Sequence, residues 1–204
     1  AKATDALTLT VIGTTATAKN ITVDAQNVAG TLALGAITGT GAVTVKLDGT
    51  SGAVTLGAIT GKTVNLDASN TIGGVATKTY TVNATDSATI AVSSLEASTV
   101  NIAANATSTA LTVALTGGID VDAITITTAT AATTITSVVV TGDLGLGADT
   151  VNLNDTTYAN TAGTMTKDIS GLLNYETATI TGKDAFKDTL KGGAGVDTIT
   201  GGTG

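Results

Sequence analysis

The sequence predicts an all-β chain wound as a parallel β-solenoid of about 18–22 residues per turn. Three observations predict it. The tripeptide Thr-Val-polar recurs at Thr22, Thr44, Thr63, Thr81 and Thr99, at a near-constant spacing, and returns at Thr150. Roughly a quarter of the residues are Thr, and β-branched residues dominate the apolar runs, which disfavours helix. The aromatic share is only 2%, as expected of a thin core between two close sheets. A β-sandwich of antiparallel strands is the alternative, because it also shows short, regularly spaced strands.

The elements follow in order. Short alternating runs lie between the tripeptides, at Thr31-Leu32-Ala33-Leu34, Val54-Thr55-Leu56, Thr89-Ile90-Ala91-Val92 and Leu111-Thr112-Val113. In Thr63-Val64-Asn65-Leu66-Asp67, Val64 and Leu66 share one face while Thr63, Asn65 and Asp67 share the other. Stacked turns would place the aliphatics in one core and the Thr and Asn side chains in outward rows. L-G-A-I-T-G occurs twice, at Leu34–Gly39 and Leu56–Gly61, one such period apart. Turns are expected at Asp48-Gly49, Gly73-Gly74, Gly117-Gly118 and Thr141-Gly142-Asp143. Asp120-Val121-Asp122 reads as a turn at a strand end. This solenoid spans 1–155. Residues 156–181 read as an irregular joint with a lead-in strand, and 182–204 as the start of a different roll.

Composition excludes several chemistries. The chain has no His, Cys, Pro or Trp, and all nine basic residues are Lys. Zinc centres built on His or Cys, and Ser-His-Asp or Cys-His catalytic sets, are therefore excluded. A net charge of -7 without Arg argues against nucleic acid and against an anionic membrane surface. Mean hydropathy is +0.37, yet no apolar run approaches the length that spans a bilayer. No G-x-S-x-G and no H-E-x-x-H occurs, and the aromatic platforms of a glycosidase cleft are scarce. The chain is therefore expected not to be an enzyme.

The sharpest motif is Gly192–Thr200, which fits the nonapeptide G-G-x-G-x-D-x-U-x; Gly201, Gly202 and Gly204 open a second copy that stops in mid-repeat. This period is the signature of a calcium-binding parallel β-roll, and the chain accordingly reads as a piece of a longer one. Glycines permit sharp turns that aim carbonyls at a shared centre, and Asp adds a hard anionic oxygen. The candidate Ca²⁺ residues are Asp188, Gly192, Gly193, Gly195, Asp197, Gly201 and Gly202. A degenerate copy at Leu144–Asn152 adds Gly145, Gly147 and Asp149. Asp149 fits a solvated turn residue better than a ligand.

These residues resemble the repeats-in-toxin (RTX) proteins that Gram-negative bacteria export by type I secretion. Leu173-Asn174-Tyr175-Glu176-Thr177 to Gly182 resembles the lead-in found before such repeats. The resemblance implies that Asp carboxylates and glycine-loop carbonyls bind Ca²⁺ between loops two repeats apart. Asp197 would then need a loop near Asn174, which lacks the glycine spacing, or one beyond Gly204, and Asp188 would need Gly201–Gly204, so the terminal sites are expected to be half-built. Together with the acidic, cysteine-free, Thr-rich composition, the chain looks like a bacterial surface-layer protein. That implies calcium-dependent folding outside the cell and self-association into a two-dimensional lattice. It also implies anchoring to a cell-surface polysaccharide through parts outside this chain. An RTX adhesin or other surface-binding module is the alternative. The outward rows are Thr-x-Asn more than Thr-x-Thr, which argues against ice binding.

Overall fold

The computed structural model describes residues 7–13, 19–50, 53–69, 78–91, 98–104, 110–118, 120–128, 136–155, 163–182 and 186–202. Among them are sixteen strands and no helix, and every strand pair is parallel. The chain is a parallel β-solenoid, and the antiparallel sandwich falls.

The strands stack in two columns. The first holds β1 (Leu7–Gly13), β3 (Leu32–Thr38), β5 (Val54–Leu56) and the first half of β6 (Ile59–Asp67). It continues through the first half of β7 (Lys78–Ala91), then β8 (Ser98–Ala104), β10 (Asp122–Thr128), β12 (Thr150–Asp155), β14 (Thr177–Thr181) and β16 (Val196–Thr200). The second column holds β2 (Ile21–Asp24), β4 (Ala42–Lys46) and the second halves of β6 and β7. It ends with β9 (Ala110–Gly118), β11 (Ser137–Gly145), β13 (Gly163–Leu173) and β15 (Phe186–Lys191). β6 crosses between columns where its register with β7 shifts between Gly61 and Thr63.

Alternation builds the core from these columns. In the first, Ile37, Ile59, Val82, Ile102, Ile126, Leu153 and Ile180 stand in register, one per turn, and all are buried. A second row runs Tyr80, Val100, Ile124, Val151 and Ala178. The facing column supplies Val43, Val64, Ala88, Val113 and Val140. Each large aliphatic among them contributes roughly 1.5–3 kcal/mol through removal from water. Tyr80 is fully buried, so the thin core accepts a ring where its neighbour in the next turn is the smaller Val100.

Turn length varies more than the tripeptide suggests. Leu7 stacks on Leu32, Leu32 on Val54, Ala123 on Thr150 and Thr177 on Val196, so the advance per turn differs by several positions along the chain. The two L-G-A-I-T-G copies lie in perfect register, Leu34 on Leu56 and Ile37 on Ile59. The turn expected at Thr141-Gly142-Asp143 is instead part of β11. Gly142 has φ +127 there, and a Cβ would overlap the Leu115 carbonyl oxygen. Glycine is required because a neighbouring backbone passes through the space a side chain would occupy. The turn expected at Gly73-Gly74 lies outside the described residues. The rhythm lost in the sequence after Asn154 returns in the backbone at β13, which pairs with β11 and β15 in the second column.

Candidate cation-binding turns

Two acidic turn systems flank the later strands. The first is the terminal glycine loop. Asp197 stands in register with Ala178, so it occupies a core row on the last turn. Its carboxylate folds back into its own loop. Asp197 Oδ2 accepts the Gly193 N–H at 3.0 Å, and Oδ1 accepts the Tyr175 hydroxyl at 2.7 Å. The same Gly193 N–H also donates to the Tyr175 hydroxyl oxygen at 2.8 Å. Tyr175 is buried and is the post around which Gly192–Asp197 turns. A Cβ at Gly195 would come within 2.5 Å of the Tyr175 ring, and one at Gly192 would overlap Asp197 Oδ2. Burial, and then the hydrogen bond to the Asp197 carboxylate, push the Tyr175 phenol above its ordinary value.

Asp188 lies elsewhere. It stands in register with Met165 on the second column. Its Oδ2 reaches the corner at Gly182, where a Cβ would overlap it and would meet the Gly202 nitrogen at 2.9 Å. Asp188 and Gly202 are therefore neighbours across Gly182, while Gly201 has open space around it. The structure thus gathers Gly192, Gly193, Gly195 and Asp197 in one place, and Asp188 with Gly202 in another.

The second system is a ladder of acids at the start of the first-column strands. Ser98, Asp122, Asp149 and Glu176 occupy equivalent positions on successive turns, each at or just before the first strand residue. Each acid caps the turn before it. Asp122 Oδ1 accepts the Ser98 N–H at 3.1 Å, Asp149 Oδ1 accepts the Asp122 N–H at 2.7 Å, and Glu176 Oε2 accepts the Asp149 N–H at 2.6 Å. The Glu176 and Thr177 N–H groups donate back to the Asp149 carbonyl at 3.2 and 3.3 Å. A parallel strand start leaves donors that the ladder hydrogen bonds do not reach, and a short carboxylate satisfies them as at a helix cap.

Asp122 and Asp149 are both 0% exposed, so neither is a solvated turn residue. The Oδ2 atom of each is buried and accepts no hydrogen bond. Burial first, and then the charge of Asp149, push Asp122 up to about 7. Burial also raises Asp149, with the charge of Glu176 adding to it. Glycines let the turns close on these acids. A Cβ at Gly117 would lie 2.7 Å from Asp122 Oδ2 and would overlap the Leu144 carbonyl oxygen. A Cβ at Gly147 would overlap the Asp120 carbonyl oxygen and lie 3.0 Å from Asp149 Oδ1. Gly145 packs as closely on the Gly118 carbonyl. The nonapeptide-like set Gly145, Gly147 and Asp149 is therefore brought together, and Asp122 joins it from the preceding turn.

Calcium takes 6–8 oxygen ligands. Around Asp197 the described donors are one carboxylate, already accepting on both oxygens, and loop carbonyls. Their chemistry suits a hard cation, but one carboxylate is a small share of its shell. No cluster of three or more His, Cys, Asp or Glu side chains spaced to hold a metal occurs among the described residues. The ladder supplies two buried carboxylates, each with an uncommitted oxygen.

Three residues of interest escape sequence reasoning. Ser98 and Glu176 belong to the ladder, whose signal is an acid placed just before a strand start such as Ala123-Ile124 or Thr150-Val151. Lys167 is buried in the core row between Val138 and Leu190, and its Nζ donates to the Leu153 carbonyl at 3.4 Å and to that of Thr181. No sequence signal marks it, since the run after Asn154 shows no clear alternation that would put a lysine on the core face. No family model, curated protein or solved structure matches the chain.

Proposed function

We propose that the chain is a structural segment of a bacterial surface layer, exported by type I secretion and ordered by calcium outside the cell. The observation that carries the reading is the glycine loop Gly192–Asp197 closing on Tyr175 as the last described turn of the two-column parallel solenoid. A solenoid of this kind presents two long, regular faces, and regular faces suit repeated contacts between copies. The outward rows are Thr and Asn rather than Lys or Arg, so copies can approach without strong like-charge repulsion on the faces. Several acids lie in turns or at strand ends, among them Asp48, Asp67, Asp120, Asp122, Asp149 and Glu176, where calcium can neutralise them. Extracellular modules bind calcium at roughly 10⁻⁴–10⁻³ M, which keeps the chain unassembled before export and ordered after it. Attachment to the cell, through a surface polysaccharide, would come from parts outside this chain.

The test is light scattering of the chelator-treated protein during calcium addition. Growth to large assemblies that a chelator reverses supports the reading. Particles of constant size up to about 10 mM calcium, well above the affinity of such modules, contradict it.

A further inference from the structure

The acid ladder has a property that capping does not explain. Capping uses one oxygen of each acid, Oδ1 of Asp122 and Oδ1 of Asp149. The second oxygen of each is buried and accepts no hydrogen bond of normal geometry, although the Gly118 N–H lies near the Asp122 carboxylate. A buried acceptor left unsatisfied is destabilising, the more so when it carries charge. Two such oxygens on successive turns, with strands about 4.8 Å apart, repel each other in a site closed to water. Asp120, just before the ladder, adds further negative charge. Gly117 lets the Leu144 carbonyl oxygen lie near Asp122 Oδ2, and Gly147 lets the Asp120 carbonyl oxygen lie near the Asp149 carboxylate. Every donor there is oxygen; no imidazole or thiolate ligand exists in a chain without His or Cys. Oxygen-only, anionic and glycine-lined sites select hard divalent cations of the calcium class.

We propose that Oδ2 of Asp122 and Oδ2 of Asp149 together hold one calcium-class cation that ties adjacent turns of the solenoid. The site differs from the terminal glycine loop in being made by acids on neighbouring turns. It stands apart from the lattice reading, since a cation-tied solenoid that forms no sheets leaves it intact.

Amide hydrogen exchange on the whole chain tests it, with calcium as the probe and chelator as the reference at pH 7.5. The Ser98 and Asp122 amides, which the two acids cap, report directly on the site. With an affinity of about 10⁻⁴–10⁻³ M, about 10 mM calcium should slow their exchange roughly ten- to hundredfold in the wild-type chain. Asp122→Asn should abolish that protection, and Asp197→Asn should leave it in place. The wild-type measurement stands by itself if Asp122→Asn fails to fold. Unchanged exchange with calcium overturns the proposal. So does protection lost in Asp197→Asn, which would put the cation in the terminal loop. Protection gained at pH 5 in chelator, with none from calcium at pH 7.5, would assign the orphan oxygens to a shared proton and overturn it as well.

Discussion

Raising the pH from 5 to 8 in a chelating buffer should destabilise the solenoid, and Asp122→Asn should remove most of that loss. Burial and the charge of Asp149 hold Asp122 at about 7, against 3.8 for an ordinary aspartate. In the unfolded chain the carboxyl ionises near its ordinary value. Between that value and about 7 the folded chain keeps a proton that the unfolded chain has released. Stability therefore falls as the pH rises through this window, and the loss is complete above about 7. Over pH 5 to 8 the full effect is about 2.5 kcal/mol. Water reaching the exposed Glu176 end of the ladder reduces it to roughly 1–2 kcal/mol. Asp149, raised in the same direction, adds to the slope. Two acids act oppositely. Asp168, held at about 2 first by its hydrogen bond from Lys191, and Asp143, lowered by Asn174, stabilise the fold above the ordinary carboxylate range and lose that effect in acid. Both are fully ionised between pH 5 and 8, so they do not mask the trend. Urea unfolding followed by circular dichroism should show the midpoint falling by about 0.5–1 M between pH 5 and pH 8. The Asn variant, which keeps an oxygen for the Ser98 N–H, should show little change. Equal or greater wild-type stability at pH 8, or an unchanged slope in the variant, would refute the reasoning.

Three further outcomes follow from particular contacts. Gly142→Ala should cost about 3 kcal/mol or more, because its Cβ would overlap the Leu115 carbonyl at a φ of +127; Gly201→Ala, with open space around it, should stay within about 0.5 kcal/mol in the same urea assay. Tyr175→Phe should lose about 1–3 kcal/mol by removing the hydroxyl shared by Asp197 and Gly193, and hydrogen exchange should show the 191–202 turn opening before earlier turns. Lys167→Ala should cost roughly 3–5 kcal/mol by leaving a cavity and stripping a donor from the Leu153 and Thr181 carbonyls, whereas Lys167→Met, which fills the space, should cost clearly less by thermal unfolding.

Much of the fold is legible in the sequence because strand alternation is a strong local signal. The faces of Val64, Leu66, Val100 and Ile102 are as their sequence positions imply. The L-G-A-I-T-G pair marks one turn because its glycines, aliphatics and threonine all recur together. The Thr-Val-polar tripeptide marks strands but not turns. Thr22 pairs with Thr44, yet Thr44 pairs with Asn65, and the copies at Thr81, Thr99 and Thr150 lie in the other column. A slip by one full pleat keeps every side chain on its own face, so nothing in the alternation forbids it. The acid ladder is obscured for a related reason. Ser98 stands 24 residues before Asp122, and Asp122, Asp149 and Glu176 follow at steps of 27, longer than the period of the tripeptide, so a search at that period does not find them. Asp122 reads as a turn residue because Asp-x-Asp resembles solvated punctuation; in the fold its carboxylate packs against Gly117 of the preceding strand, a contact the spacing does not reveal. The role of Tyr175 as the post of the glycine loop is half visible, since its place in the lead-in is clear and its pairing with Gly193 is not.

Electron microscopy of the full-length protein, with and without calcium, tests the central claim most directly. A calcium-ordered surface-layer solenoid should form extended sheets whose Fourier transforms show discrete lattice spots in millimolar calcium, and it should disperse into separate particles in chelator. Dispersed particles in both conditions, or sheets of equal order in chelator, would contradict it.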